Sequence, residues 1–183
     1  MTAKKPTNYK LKLQFDGDQI SNALLYEFED GGKNAMTKEG RYSGCIQFKA
    51  GDTIDVEVTM TATPGELRKV SGMQPISLDL VSVPNVNQDF DSFSPFDRDQ
   101  VTKCLVGSWS EPQHSTDPST GISTWVSNWR GAPVEVVAEK GFWQLAGFLG
   151  IAIYQNTGGD EVRIARVLSF DPETTSGDGS DPV

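Results

Sequence analysis

Hydrophobic and polar residues alternate along much of this chain with a period of two, the spacing that sends successive side chains to opposite faces of a β-strand. Tyr9, Leu11, Leu13 and Phe15 fall on one face, and Lys10, Lys12 and Gln14 on the other. Ile54, Val56, Val58 and Met60 repeat the pattern against Asp55, Glu57 and Thr59. Ahead of them Tyr42, Gly44, Ile46 and Phe48 alternate as well, and the intervening Ala50-Gly51-Asp52 turn predicts a hairpin over residues 42–60. Residues 142–154 and 162–170 predict a second hairpin, closed at Asn156-Thr157-Gly158-Gly159-Asp160.

Shorter strands are read at residues 23–28, 76–83, 101–109, 122–125 and 134–138. In the second of these, Ile76, Leu78 and Leu80 alternate while Val81 and Val83 fall out of phase, which predicts a bulge. Residues 85–100 and 113–121 read as loops. No segment competes as a long amphipathic helix, and no fixed period repeats. Nine or ten short strands divided by turns predict an all-β fold, an antiparallel, jelly-roll-like β-sandwich, in one domain over residues 1–170. Residues 171–183 are expected to be a disordered acidic tail, because 171–182 offer no apolar side chain to bury.

Charge narrows the partners. With 25 acidic and 16 basic residues the formal net charge is −9, which disfavours nucleic acid and anionic membranes, since their binders need a cationic footprint. No apolar stretch follows Lys4, Lys5 and Lys10, so no secretory signal is read, and cytoplasmic residence is the expectation. Residues 142–154, interrupted by Gly147 and Gly150, are too short for a membrane-spanning helix. Cys45 and Cys104 sit in apolar, strand-like contexts and are expected to be buried thiols.

Candidate chemistry is sparse. The sole histidine, His114, lies in a polar segment, and a hydrolytic triad would have to draw on Cys104 or Ser110 with Asp117. One histidine and two distant cysteines do not make a zinc site, and no glycine-rich phosphate loop is present. Lys49-Ala50-Gly51-Asp52-Thr53-Ile54 resembles the turn that leads into a core strand in cupredoxins. That likeness implies a turn between sandwich strands and no copper, whose ligand set needs two histidines and a cysteine. Asp89, Asp91, Asp97 and Asp99 are candidate oxygen ligands for a hard cation, although the segment lacks the glycine and closing glutamate of an EF-hand. No cofactor is expected.

All four tryptophans, Trp109, Trp125, Trp129 and Trp143, fall in the second half. Trp125, Asn128, Trp129 and Arg130 form a candidate patch for a saccharide or protein ligand, or for a subunit interface, because aromatic and guanidinium side chains dominate both kinds of contact. The sequence therefore reads as a non-catalytic interaction or self-assembly protein, expected to be a homo-oligomer. A lectin-like protein using its surface tryptophans and a small hydrolase are the alternatives.

Overall fold

The computed structural model describes residues 5–37, 45–64, 69–85, 87, 89–171 and 173–176. These form thirteen strands and no helix: β1 (Asn8–Asp16), β2 (Leu25–Asp30), β3 (Lys33–Asn34), β4 (Ile46–Phe48), β5 (Thr53–Ala62), β6 (Lys69–Pro84), β7 (Thr102–Val106), β8 (Gln113–Thr116), β9 (Ser123–Asn128), β10 (Val134–Glu135), β11 (Gly141–Thr157), β12 (Asp160–Phe170) and β13 (Glu173–Ser176). The first sheet runs β3-β2-β1-β5-β9-β8, with β10 beside β5. The second runs β4-β13-β11-β6-β7, with β12 on the same side of β11 as β13, along its later residues. The all-β, two-sheet architecture is as expected, but two pairings are parallel, β1 with β5 and β4 with β13.

Alternation decides which faces meet. Leu11 and Leu13 of β1, Val56, Val58 and Met60 of β5, Leu78 and Leu80 of β6, and Leu145, Leu149, Ile151 and Ile153 of β11 are buried in one hydrophobic core between the sheets. An aromatic cluster fills one end, where Phe48 meets Tyr9, Phe28 and Phe96 edge-on at ring separations of 5.5, 5.8 and 5.9 Å. The expected hairpin at Phe142–Phe170 is present as β11 and β12 in register from Gly147↔Phe170 to Thr157↔Asp160. Gly158 and Gly159 both carry positive φ, +67° and +105°, as the two central residues of a tight hairpin turn require.

Several expectations are corrected. The residues read as a 42–60 hairpin are divided between sheets: β4 belongs to the second and β5 to the first, while Tyr42 and Gly44 lie outside the described residues. The turn crosses the sandwich instead of reversing within one sheet. Asp52 holds that corner, its carboxylate buried and accepting from the amides of Thr7 at 2.7 Å and Lys49 at 2.8 Å. β6 has two irregularities, one at Ile76, skipped between Ser77↔Gly150 and Pro75↔Ile151, and one at Ser71, skipped between Gly72↔Tyr154 and Val70↔Gln155. Val81 and Val83 keep phase and occupy the outer face, which the sequence pattern cannot distinguish from a slip. Residues 113–116, read as loop, are β8, a short edge strand whose polar side chains are all exposed. Within the segment read as tail, Glu173–Ser176 form β13 between β4 and β11, because backbone pairing needs no apolar side chain. Residue 172 and residues 177–183 lie outside the described residues.

Candidate functional site

The register of β9 separates the residues of the tryptophan patch. Trp125 pairs with Met60 and Ser127 with Val58, both partners being core residues. Trp129 continues this parity and packs against the core beside Trp109, ring centroids 5.3 Å apart at 69°. Asn128 and Arg130 have the opposite parity, Asn128 pairing with Glu57 on the outside of the sheet. The four side chains therefore do not converge, a consequence of the same period of two that identified the strand. Both indoles lie against neighbouring residues. Trp125 is 5% exposed and covered by the His114 ring, stacked at 4.6 Å and 18°. Trp129 lies against Gly131, whose missing Cβ makes room for the ring, and its Nε1–H donates to the Ala132 carbonyl at 2.9 Å. Trp143 is fully buried, and Trp109 Nε1 is buried with no hydrogen-bond partner among the described residues.

The acidic segment is held by its own backbone. Asp91 accepts from the amide of Glu139 at 3.0 Å, and Asp97 from those of Asp99 and Gln100 at 3.0 and 3.1 Å. Asp89 faces Lys140 Nζ at 3.3 Å. Among the described residues no group of three or more His, Cys, Asp or Glu side chains is placed to hold a metal, Asp89, Asp91, Asp97 and Asp99 included. The Asp91 and Asp97 carboxylates act as turn anchors. Phe96 carries their loop into the core, while Phe93 stays half exposed against Phe90.

His114 opens onto a groove of about 450 Å³ between the ends of the sheets, lined also by Pro64, Lys69, Thr116 and Trp125. The triad partners are elsewhere. Asp117 accepts from the backbone and hydroxyl of Ser119 at 2.8 and 2.7 Å, bonds that hold its carboxyl below the usual aspartate range. Ser110 Oγ accepts from the Asn128 amide, and Cys104 belongs to the other sheet. Among the described residues no nucleophile, base and orienting acid meet here.

A stronger asymmetry divides the two outer faces. On the first sheet, Lys10 stands between Glu29 and Asp55, and Lys12 between Glu27 and Glu57, in two rows of acid-base-acid. Ion pairs join Lys10 to Glu57 at 3.2 Å and Lys12 to Glu29 at 2.7 Å. This face is built for water. The second sheet presents Val83, Val81, Asp79 and Ser77 of β6, Cys104 and Val106 of β7, Ala146, Phe148 and Gly150 of β11, and Val167 of β12, all on the side opposite the core. Val106 and Val167 are 59% exposed, Val83 57% and Phe148 40%. Gly150 and Ser77 keep the middle flat, since a Cβ on Gly150 would meet Ser77 Oγ at 2.8 Å. Charged residues of this face, Lys69, Glu161 and Arg163, stand at its far end, leaving Asp79 as the one carboxylate in the middle among the described residues.

Cys104 is exposed, contrary to expectation, because β7 is an edge strand and this side chain points outward opposite Asp79, whereas Cys45 is buried as expected. The Asp79 carboxylate beside it, through a hydrogen bond to the thiol, pushes the Cys104 pKa up. Exposure alone would make this thiol reactive; a raised pKa depletes the thiolate that reacts. In protein dilute enough to be monomeric, alkylation of Cys104 by iodoacetamide at neutral pH is expected to be slower than that of a free cysteine, and to accelerate several-fold in D79N, as followed by mass spectrometry.

No protein-family model matches the chain, and no curated protein matches it. Among solved structures it is similar to an inclusion body protein (PixA) from Burkholderia cenocepacia, at 10% identity and a TM-score of 0.36, with 97% of this chain and 99% of that chain covered. So remote a likeness carries no argument about function, and the architecture described above rests on the strand pairing itself. Among the described residues no helix is long and apolar enough to cross a membrane.

Proposed function

We propose that this is a non-catalytic self-assembly protein whose copies associate through the outer face of the second sheet. The observation that carries this reading is the contrast between the two exteriors, one a lattice of alternating charges, the other a flat, charge-poor field from which Val83, Val106, Phe148 and Val167 stand exposed to solvent. A contiguous apolar patch of this kind is as large as a typical monomer carries, and patches of that size are often contact surfaces. A second copy of the chain is the occupant favoured by charge. Each molecule carries a net charge of −9, so copies repel across most of their surfaces, and the nearly uncharged face is where that repulsion is least. A sheet face pairs with itself about a two-fold axis without any further element, the commonest symmetry of soluble oligomers.

Static light scattering and native mass measurement test this at about 100 µM protein, a concentration at which a micromolar interface is occupied. A defined dimer or higher closed oligomer is expected at mildly acid pH. Phe148→Glu or Val167→Glu should each weaken it at least about tenfold, the effect of placing a charge in a desolvated contact. Lys10→Glu, on the charged exterior, should leave association unchanged. A wild-type monomer under all these conditions, or an oligomer indifferent to both face substitutions, would overturn the reading.

A further inference from the structure

Asp79 sits in the middle of the face just described, where a paired copy would seal it from water. We infer that association through this face is gated by protons at Asp79: the ionised carboxylate holds copies apart, and its protonation lets the faces close. This rests on the self-assembly reading and adds its regulation.

The geometry leaves Asp79 without a counter-charge. Its neighbours on β6 along the same face are Ser77 and Val81. Across on β7 stand Cys104, directly opposite, with Thr102 and Val106 to either side. Across on β11 stand Phe148, with Ala146 and Gly150 to either side, and behind them on β12 are Val167 and Ser169. Cys104 is the one titratable group among these, and its thiol is neutral when the aspartate is charged. No lysine or arginine of the described residues faces the carboxylate. A second copy brings the same face, and so a second Asp79 with the same charge. Burying two like carboxylates between apolar surfaces disfavours the charged form of both.

The size of the face makes that cost decisive. β6 and β11 over some ten residues each and β7 and β12 over some five each, at about 4.8 Å strand spacing and about 3.3 Å rise, cover about 500 Å², or about 1,000 Å² for two copies, the smallest size of a specific interface. An interface so small has little surplus with which to bury an unpaired charge. Association therefore takes up protons, and each proton taken up makes the association constant rise about tenfold for every unit the pH falls.

Sedimentation equilibrium of wild type, D79N and D79S between about pH 6.5 and about pH 5.5, a range above the point of zero net charge, tests the gate. Wild type should tighten at least about tenfold per pH unit. D79N and D79S should associate at the upper pH as tightly as wild type at the lower, with their pH response reduced to less than about twofold. Circular dichroism and thermal unfolding of the variants verify that the sandwich is intact. The sole histidine remains in both variants and added salt screens net charge in all three proteins, so a response owed to either would persist in D79N. Equal slopes in wild type and variants, with association still abolished by Phe148→Glu, would overturn the gate and leave the interface standing. Monomers throughout, in wild type and both variants, would overturn gate and interface together.

Discussion

Replacing Trp143 by alanine is expected to destabilise the fold by about 3–5 kcal/mol, the range for deleting a large aromatic from a closed core. Against a total stability of about 5–15 kcal/mol for a domain, that is enough to leave a sizeable unfolded fraction. The indole is fully buried, and its ring lies over Gly141, the first residue of β11, where any Cβ would collide with it. Its Nε1–H donates to the Ser92 carbonyl at 3.3 Å, so the same side chain fills the core and anchors the irregular connection between β6 and β7. Truncation opens a cavity and orphans that carbonyl. Urea unfolding should show a lower midpoint at unchanged slope. Trp143→Phe, which keeps much of the packing and loses the hydrogen bond, should cost less, about 1–2 kcal/mol from the bond and the smaller ring. Equal losses in the two variants would mean that packing is not what Trp143 contributes.

Trp143 also illustrates what the sequence makes legible. Its parity with Leu145, Leu149 and Ile151 assigns it to the core, and the period of two likewise separates Lys10 and Lys12 from Leu11 and Leu13 and predicts the β11–β12 hairpin correctly. The pattern is local, so it identifies strands and their faces. Which sheet a strand joins is a long-range matter, and the turn at Gly51-Asp52 looks the same whether the chain reverses within a sheet or crosses between two. Very short strands such as β3, β8 and β10 carry too few residues to display a period. The tryptophan patch shows a different limit. Closeness in sequence is not closeness in space: parity alone puts Trp125 and Trp129 on one face and Asn128 and Arg130 on the other. The apolar exterior was within reach of the same rule: Val81 and Val83 on β6 and Ala146 and Phe148 on β11 alternate with core residues, so both faces of these strands are poor in charge. Only the pairing of β6 with β11 and β7 assembles them into one surface.

Gly147→Ala is the second substitution expected to have a large effect, and its sign is what makes it informative. In a strand interior, exchanging glycine for alanine ordinarily stabilises by about 0.5–1 kcal/mol through the unfolded chain's entropy. Here it should destabilise by about 2–4 kcal/mol, the cost of overpacking plus a lost aromatic contact. Gly147 has core-facing parity on β11, opposite Leu80 of β6 and Phe170 of β12. The Phe170 ring fills the space a side chain would take: a Cβ built on Gly147 meets Cδ1 at 2.7 Å and two further ring carbons more closely still. Phe170 is itself buried and rests on Tyr26 of the opposite sheet, ring centroids 5.2 Å apart. The ring cannot move aside without giving up the contact that ties the end of β12 to the first sheet. A glycine covered by a cross-strand aromatic is a recurrent device in sheets, and here it joins the two layers. If that is its role, Phe170→Leu, mildly destabilising alone, should relieve the collision, so that Gly147→Ala costs at least about 1 kcal/mol less in the Phe170→Leu background than in wild type. Denaturant unfolding of the four proteins measures the coupling directly, and strict additivity would mean that Phe170 does not occupy the space above Gly147.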